Sequence, residues 1–187
     1  MTQFKSTKIF DGFSTAFRQW RATHSHCQYV HGYALKFKVW FEGELDSMNY
    51  VCDFGCFKRN GIKDELANQF DHTTVVAADD PHLEIFKKMD KVGLVQLRVM
   101  EHVGCERYAE WVYNLINKKM QEETDGRVRV LKVESFEGGT NNSAIYYPVE
   151  EEANTYQPRE ITGIPNGNTM SDTDNEVKEN SNPKTFI

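Results

Sequence analysis

The chain has 187 residues, 39% of them hydrophobic and 12% aromatic, enough for one domain with a real core. Its net charge of −6 is concentrated at the end: residues 150–187 hold eight acids and three bases, which leaves residues 1–149 near −1. A nearly neutral folded part speaks against a nucleic-acid surface, and no run approaches the roughly 18 apolar residues that would span a membrane. The start, Met1-Thr2-Gln3-Phe4-Lys5, lacks the apolar stretch of a signal peptide, so a cytoplasmic protein is expected. The four cysteines, Cys27, Cys52, Cys56 and Cys105, form no CxxC pair and read as free thiols, Cys52 and Cys56 as plain buried ones.

The elements read as α+β in chain order. Phe13, Thr15 and Phe17 alternate with Ser14 and Ala16, as in a strand. The clearest strand is 31–41, with His31, Tyr33, Leu35, Phe37, Val39 and Phe41 on one face. Residues 42–47 turn the chain, and 49–54 is expected to return as a hairpin partner. A helix is expected over about 55–68, weakened at Gly61. Residues 79–103 are long for a connection and suggest a short helix (Leu83, Phe86, Met89) and a strand (94–100). The best helix is 105–120, where Tyr108, Trp111, Val112, Leu115 and Ile116 form one stripe. Residues 127–136 and 143–147 make a second hairpin around Gly138-Gly139. The tail, rich in Asn, Glu, Thr, Pro and Gly, is expected to be mobile.

Three constellations can carry chemistry. The first is His24-Ser25-His26-Cys27-Gln28-Tyr29-Val30-His31. A nearby imidazolium or metal lowers a thiol's pKa and makes it a nucleophile or base, and neutral imidazoles bind zinc. The alternative is a polar loop whose histidines face water. The second is Asp71-His72, a carboxylate that fixes a histidine's tautomer and raises its basicity. The third is Glu137, at a strand end before Gly138-Gly139, where a carboxylate can accept two N–H donors from a guanidine-like ligand edge. Glu106 sits in a first helical turn, where an acid also favours the helix dipole.

Taken in order, these residues resemble the family of 6-pyruvoyl-tetrahydropterin synthase and 6-carboxytetrahydropterin synthase. The matching stretches are Phe13-Ser14-Thr15-Ala16-Phe17-Arg18, Cys27-Gln28-Tyr29-Val30-His31-Gly32-Tyr33, Cys52-Asp53-Phe54, Phe70-Asp71-His72, Gly104-Cys105-Glu106, and Glu137 ahead of Ile145-Tyr146. They span about residues 6–147. The resemblance implies an antiparallel four-stranded sheet with two helices on one face, the tunnelling fold, over residues 1–149. An insertion at about 75–103 and the tail at 150–187 are additions.

The resemblance also implies a homo-oligomer with sites between subunits, so that Asp71-His72 can face Cys27 of a neighbour. It implies a carbon–oxygen lyase acting on a small pterin, 7,8-dihydroneopterin triphosphate, on a route to 7-deazaguanine (queuosine-type) nucleosides or to tetrahydrobiopterin. By that likeness Cys27 moves protons, Asp71 and His72 assist, Glu137 anchors the pterin and Glu106 lines its site. The family holds zinc with one histidine on the first strand and two in His-Gly-His. Here only His31 stands, with Phe17 and Tyr33 at the other two positions. Two readings follow: His24 or His26 joins His31 to rebuild a zinc site, or the site is metal-free. In the second case the chain is an altered member that binds a pterin or purine-like ligand without the zinc-dependent reaction.

Overall fold

The computed structural model describes residues 3–139 and 141–149. The acidic tail at 150–187 lies outside the described residues.

Two long strands carry the fold. β1 (Phe4–Phe17) and β2 (His31–Gly43) pair antiparallel, from Phe4↔Gly43 to Phe17↔His31. Alternation buries Leu35, Phe37, Val39 and Phe41 along β2, as its period-two pattern requires. β1 reaches the same result through a bulge between Phe10 and Phe13, where Gly12 takes a φ of 86°. The one extra residue lets both Phe10 and Phe13 face the core.

The sheet has six strands rather than the expected four, in the order β4-β3-β1-β2-β5-β6. β5 (Val128–Glu137) pairs antiparallel with β2, and β6 (Ser143–Tyr146) pairs antiparallel with β5. The two added strands, 73–77 and 97–100, lie largely in the region expected to be an insertion, the second within the strand expected over 94–100. β3 (Thr73–Ala77) lies parallel to the end of β1, and β4 (Leu97–Met100) lies parallel to β3. β3 is buried along its whole length. Such a strand shows a continuous β-branched run instead of alternation, which is why its pattern did not announce a strand.

The segment 49–54, expected as a strand, is a turn. The Asp46 carboxylate accepts hydrogen bonds from the Met48 and Tyr50 amides (2.8 and 2.9 Å), and Asn49 adopts a φ of 64°. These local bonds take the backbone donors a strand would need. The true partners of β2 are β1 and β5.

Among the described residues there are four helices, two more than the resembled fold implies, one of them the short helix expected around Leu83, Phe86 and Met89. The helix expected at 55–68 is broken into α1 (Cys56–Arg59) and α2 (Ile62–Phe70) by Gly61, whose φ is 77°. α3 (Leu83–Lys91) joins β3 to β4 and packs on both. α4 (Cys105–Glu123) buries Tyr108, Val112, Ile116 and Met120. Phe70 links α2 to its neighbours: its ring meets Phe37, Tyr108 and Trp111 at centroid distances of 5.1, 5.1 and 5.4 Å. Burying a side chain of this size stabilises the fold by about 2–3 kcal/mol. α2 and α4 thus close one face of the sheet over the inward row of β1, β2 and β5.

Candidate active site

A bulge in β5 decides which way Glu137 points. Val128 and Val130 face inward, the register against β2 shifts between Trp40 and Phe41, and Val133, Ser135 and Glu137 then continue the inward row. Glu137 pairs with Leu35, so it shares the inner face with Leu35, Tyr33 and Thr15. Cys105, at the start of α4, lies over this row: the Ser135 hydroxyl donates to its sulfur at 3.5 Å. Cys105, Glu106, Glu137, Asn142, Ser143 and Ala144 line a cleft of ≈ 170 Å³. Burial pushes the Cys105 thiol up to about 12, with the Glu137 charge adding to the effect, so it stays protonated near neutral pH.

The start of α4 is shaped for close approach. Gly104 has a φ of 127°, and a side chain there would collide with the Gln19 amide. Glu106 is exposed in the first turn, at the rim of the same cleft.

Cys27 sits on the loop between β1 and β2 in a short 3₁₀ turn, His26–Gln28, and is exposed. That loop is tightly held. The Gln19 amide donates to the Cys27 carbonyl (2.7 Å), and the Ser25 hydroxyl accepts from the Cys27 amide (3.1 Å). Arg18 donates two hydrogen bonds to Asp80 (2.8 and 2.6 Å) and one to the Gln28 carbonyl (3.4 Å). Trp20 and Arg21 bond to Asp79 (3.1 and 2.7 Å). Asp79 and Asp80 follow β3, so the region expected to be an insertion buttresses the Cys27 loop.

Asp71 and His72 form the expected pair, Oδ1 to Nδ1 at 2.9 Å. His72 holds a φ of 55°, fixed by its amide donating to the Ser14 carbonyl (2.6 Å), while Asp71 Oδ1 accepts from the Ser14 amide (3.2 Å). Nδ1 is thus turned to the carboxylate, and Nε2 is left open on a side chain that is 78% exposed. Among the described residues no hydrogen bond or ion pair joins this pair to Cys27 or Glu137.

The positions that correspond to metal ligands in the resembled family do come together. Phe17 pairs with His31 across β1 and β2, and both lie on the inner face with Tyr33. The Phe17 and Tyr33 rings stack at 3.9 Å with an interplanar angle of 16°, and His31 leans on Tyr33 at 4.5 Å. His31 Nδ1 lies 2.8 Å from the Tyr29 carbonyl, an acceptor, so that nitrogen carries the proton. Phe17 has no donor atom. Burial raises the Tyr33 phenol well above its ordinary value, and nearby Glu137, Cys27 and Cys105 add to the shift, so in this structure its oxygen is a neutral hydroxyl. His24 and His26 are exposed on the loop. Among the described residues no three His, Cys, Asp or Glu side chains form a group able to hold a metal. The donor set does not fit zinc, which takes three protein ligands in catalytic sites.

Two residues escaped the sequence reading. Tyr33 stood out only as a lost ligand, although its charged neighbours include both Cys27 and Glu137. Tyr108 read as core, yet its buried hydroxyl lies beside the Gly104 backbone, with Cys105, Tyr33 and Glu137 among its neighbours. The available signal was the spacing of Cys105 and Tyr108 on one helical face.

An inward carboxylate at a strand end, a cleft at a helix start and a tethered exposed thiol describe an α+β protein built to hold a small molecule at one end of its sheet. Residues 7–149 match the family model described as 6-pyruvoyl tetrahydropterin synthase, and the chain belongs to that family. Solved structures share its tunnelling fold. An uncharacterised protein of Wolinella succinogenes is 21% identical, with a TM-score of 0.65, covering 79% of this chain and 99% of its own. The 6-pyruvoyl tetrahydropterin synthase of Caenorhabditis elegans is 19% identical, with a TM-score of 0.53, covering 80% and 98%. That of Plasmodium vivax is 14% identical, with a TM-score of 0.54, covering 78% and 98%. No curated protein matches the sequence. Among the described residues no helix is long and apolar enough to cross a membrane.

Proposed function

We propose that this chain is a pterin-synthase-like enzyme acting on 7,8-dihydroneopterin triphosphate. The observation that carries the reading is Glu137, turned inward by the β5 bulge into a cleft at the start of α4. A carboxylate there accepts two N–H bonds from the amino-pyrimidine edge of a pterin, a charge-assisted pairing that fixes the ring's orientation. Glu106 lines the rim of the cleft. The pterin's side chain then extends along the inner face toward Tyr33 and the Cys27 loop.

Cys27 moves a proton at the side-chain carbons, and triphosphate departs as the leaving group. His72, oriented by Asp71, is the second proton carrier. The pair belongs to a neighbouring copy of the chain, so the active unit is a homo-oligomer whose sites lie between subunits. No step is assigned to zinc, because the ligand positions do not fit it. The product is a 6-pyruvoyl- or 6-carboxy-tetrahydropterin, feeding a biopterin or 7-deazaguanine route.

The test is turnover of 7,8-dihydroneopterin triphosphate by the purified full-length protein, followed as loss of substrate and release of triphosphate. Cys27→Ala and His72→Ala should abolish turnover while leaving pterin binding intact. Glu137→Ala should weaken binding about 30- to 100-fold, the loss expected for a hydrogen bond to a charged group. Pterin binding that depends on Glu137 without any turnover would leave a binding protein, and no pterin binding at all would end the proposal.

A further inference from the structure

We propose that the Tyr33 hydroxyl, held by its stack on Phe17, donates a hydrogen bond to a side-chain oxygen of the bound pterin and makes the reaction independent of metal. The inference rests on the reading of the Glu137 cleft as a pterin site and assigns a further catalytic residue to it.

Four observations place Tyr33 in that role. First, the strand register fixes its position. Tyr33 lies opposite Thr15, one inward step along β2 from Leu35, which is paired with Glu137. Glu137 is therefore a diagonal neighbour on the same face, and such neighbours lie about 7–8 Å apart. A ligand ring held by Glu137 has its far end at this row. Second, the ring cannot swing freely. Phe17, only 1% exposed, stacks flat on it at 3.9 Å, and Phe17 is itself wedged edge-on against Tyr108 at 5.1 Å. A donor positioned in advance stabilises developing negative charge without reorganising during the reaction.

Third, the hydroxyl is unclaimed. Tyr33 makes no side-chain hydrogen bond among the described residues, although Glu137, Cys27 and Cys105 surround it electrostatically. It is the group that has both the thiol of the Cys27 loop and the anchoring carboxylate as neighbours. Fourth, the residue that braces Phe17 edge-on, Tyr108, has its buried hydroxyl beside the Gly104 backbone, with Tyr33, Cys105 and Glu137 among its neighbours. The Tyr33 phenol is thus the donor at this end of the sheet that stays free for a ligand oxygen.

The chemistry follows from what the two aromatic residues can and cannot do. Removing a proton beside a carbonyl or imine places negative charge on the oxygen or ring nitrogen. A metal polarises such an oxygen directly; a neutral O–H donor does so by hydrogen bonding. Phe17 supplies no donor but fills the space at the first family ligand position and fixes Tyr33.

The experiment uses the full-length protein with wild-type, Tyr33→Phe and His31→Ala chains. Each is assayed as purified, after chelation, and with added zinc. The expected wild type holds well under one zinc per chain, and chelation leaves turnover of 7,8-dihydroneopterin triphosphate unchanged. Tyr33→Phe should lower kcat about 100-fold, the effect of losing one oxyanion donor, with the affinity for unsubstituted pterin preserved. It should also weaken binding of 7,8-dihydroneopterin about tenfold, a readout that does not need turnover.

One tightly bound zinc per chain, lost in His31→Ala and required for turnover, would overturn the inference and leave the pterin reading standing. Equal kcat and equal 7,8-dihydroneopterin affinity in wild type and Tyr33→Phe would also overturn it alone. A wild type that binds neither pterin would remove the pterin reading, and the assignment of Tyr33 with it.

Discussion

Glu137 points into the cleft because β5 carries one extra residue. Its position before Gly138-Gly139 was legible in the sequence; the face it presents was not. Inward positions run Val128, Val130 and then Val133, Ser135, Glu137, so strict alternation from Val128 would have sent Glu137 to the outer face. A bulge leaves little trace in residue types, since both registers place valines inside. Tyr108 shows the same limit from the opposite side. Its spacing on α4 marks it as core, which it is, but spacing says nothing about where its oxygen ends. That oxygen meets at most the Gly104 backbone, so Tyr108→Phe should change the stability of the free protein by no more than about 1 kcal/mol. At about 2–4 °C per kcal/mol for a domain of this size, a thermal melt bounds the change. A drop in Tm of about ten degrees would show that the hydroxyl has a stronger partner in the free protein.

At the scale of elements, the loop carrying Cys27 depends on the strand that sequence periodicity did not reveal. β3 reads Thr-Thr-Val-Val-Ala and is buried throughout, so no alternation marks it, while the irregular segment 49–54, which buries Val51 and Cys52, imitates a strand. The weak point of the helix expected over 55–68 was legible in Gly61's low propensity; the break itself comes from the left-handed backbone that this glycine adopts. What β3 contributes is Asp80, just past its end. Its carboxylate is 1% exposed and bound bidentately by Arg18, which also reaches the Gln28 carbonyl beside Cys27.

Burial alone would raise the Asp80 pKa. The hydrogen bonds from Arg18 and the His82 amide outweigh it and hold the carboxyl below its ordinary range. Asp80→Asn should therefore cost about 3 kcal/mol at pH 7, since it leaves a half-buried guanidinium without its counter-charge. The sign with pH is fixed. A depressed carboxylate contributes its full stabilisation above its unfolded value of about 3.9 and loses it as pH falls through the lower folded value. Urea melts of wild type and Asp80→Asn should differ at pH 7 and converge as the medium is acidified below about pH 4. Equal stability at pH 7 would mean that the bridge does not hold the loop.

For the whole molecule, the arrangement of Cys27 and Asp71-His72 asks for more than one chain. The pair is anchored to Ser14 at the β1–β3 junction, Cys27 lies on the loop tied to Asp79 and Asp80, and no bond links them among the described residues. His72 presents an open Nε2 on a largely exposed side chain, as a group reserved for a partner surface would. Among the described residues the sheet ends in β4 and β6, whose outer edges have no strand beside them, and edge pairing between copies is one way to protect them. Motif order in the sequence was enough to identify the fold; the sharing of sites between copies proposed above would leave no mark in a single chain's residue pattern, because the Cys27 loop and the Asp71-His72 pair are each held by bonds of their own. Co-expression of Cys27→Ala with His72→Ala chains decides the matter. Each homogeneous variant lacks one proton carrier at every site. In a random mixed closed oligomer with shared sites, about a quarter of the sites recover both groups. The co-expressed protein should then regain about that share of wild-type turnover, whereas sites built within one chain would regain none.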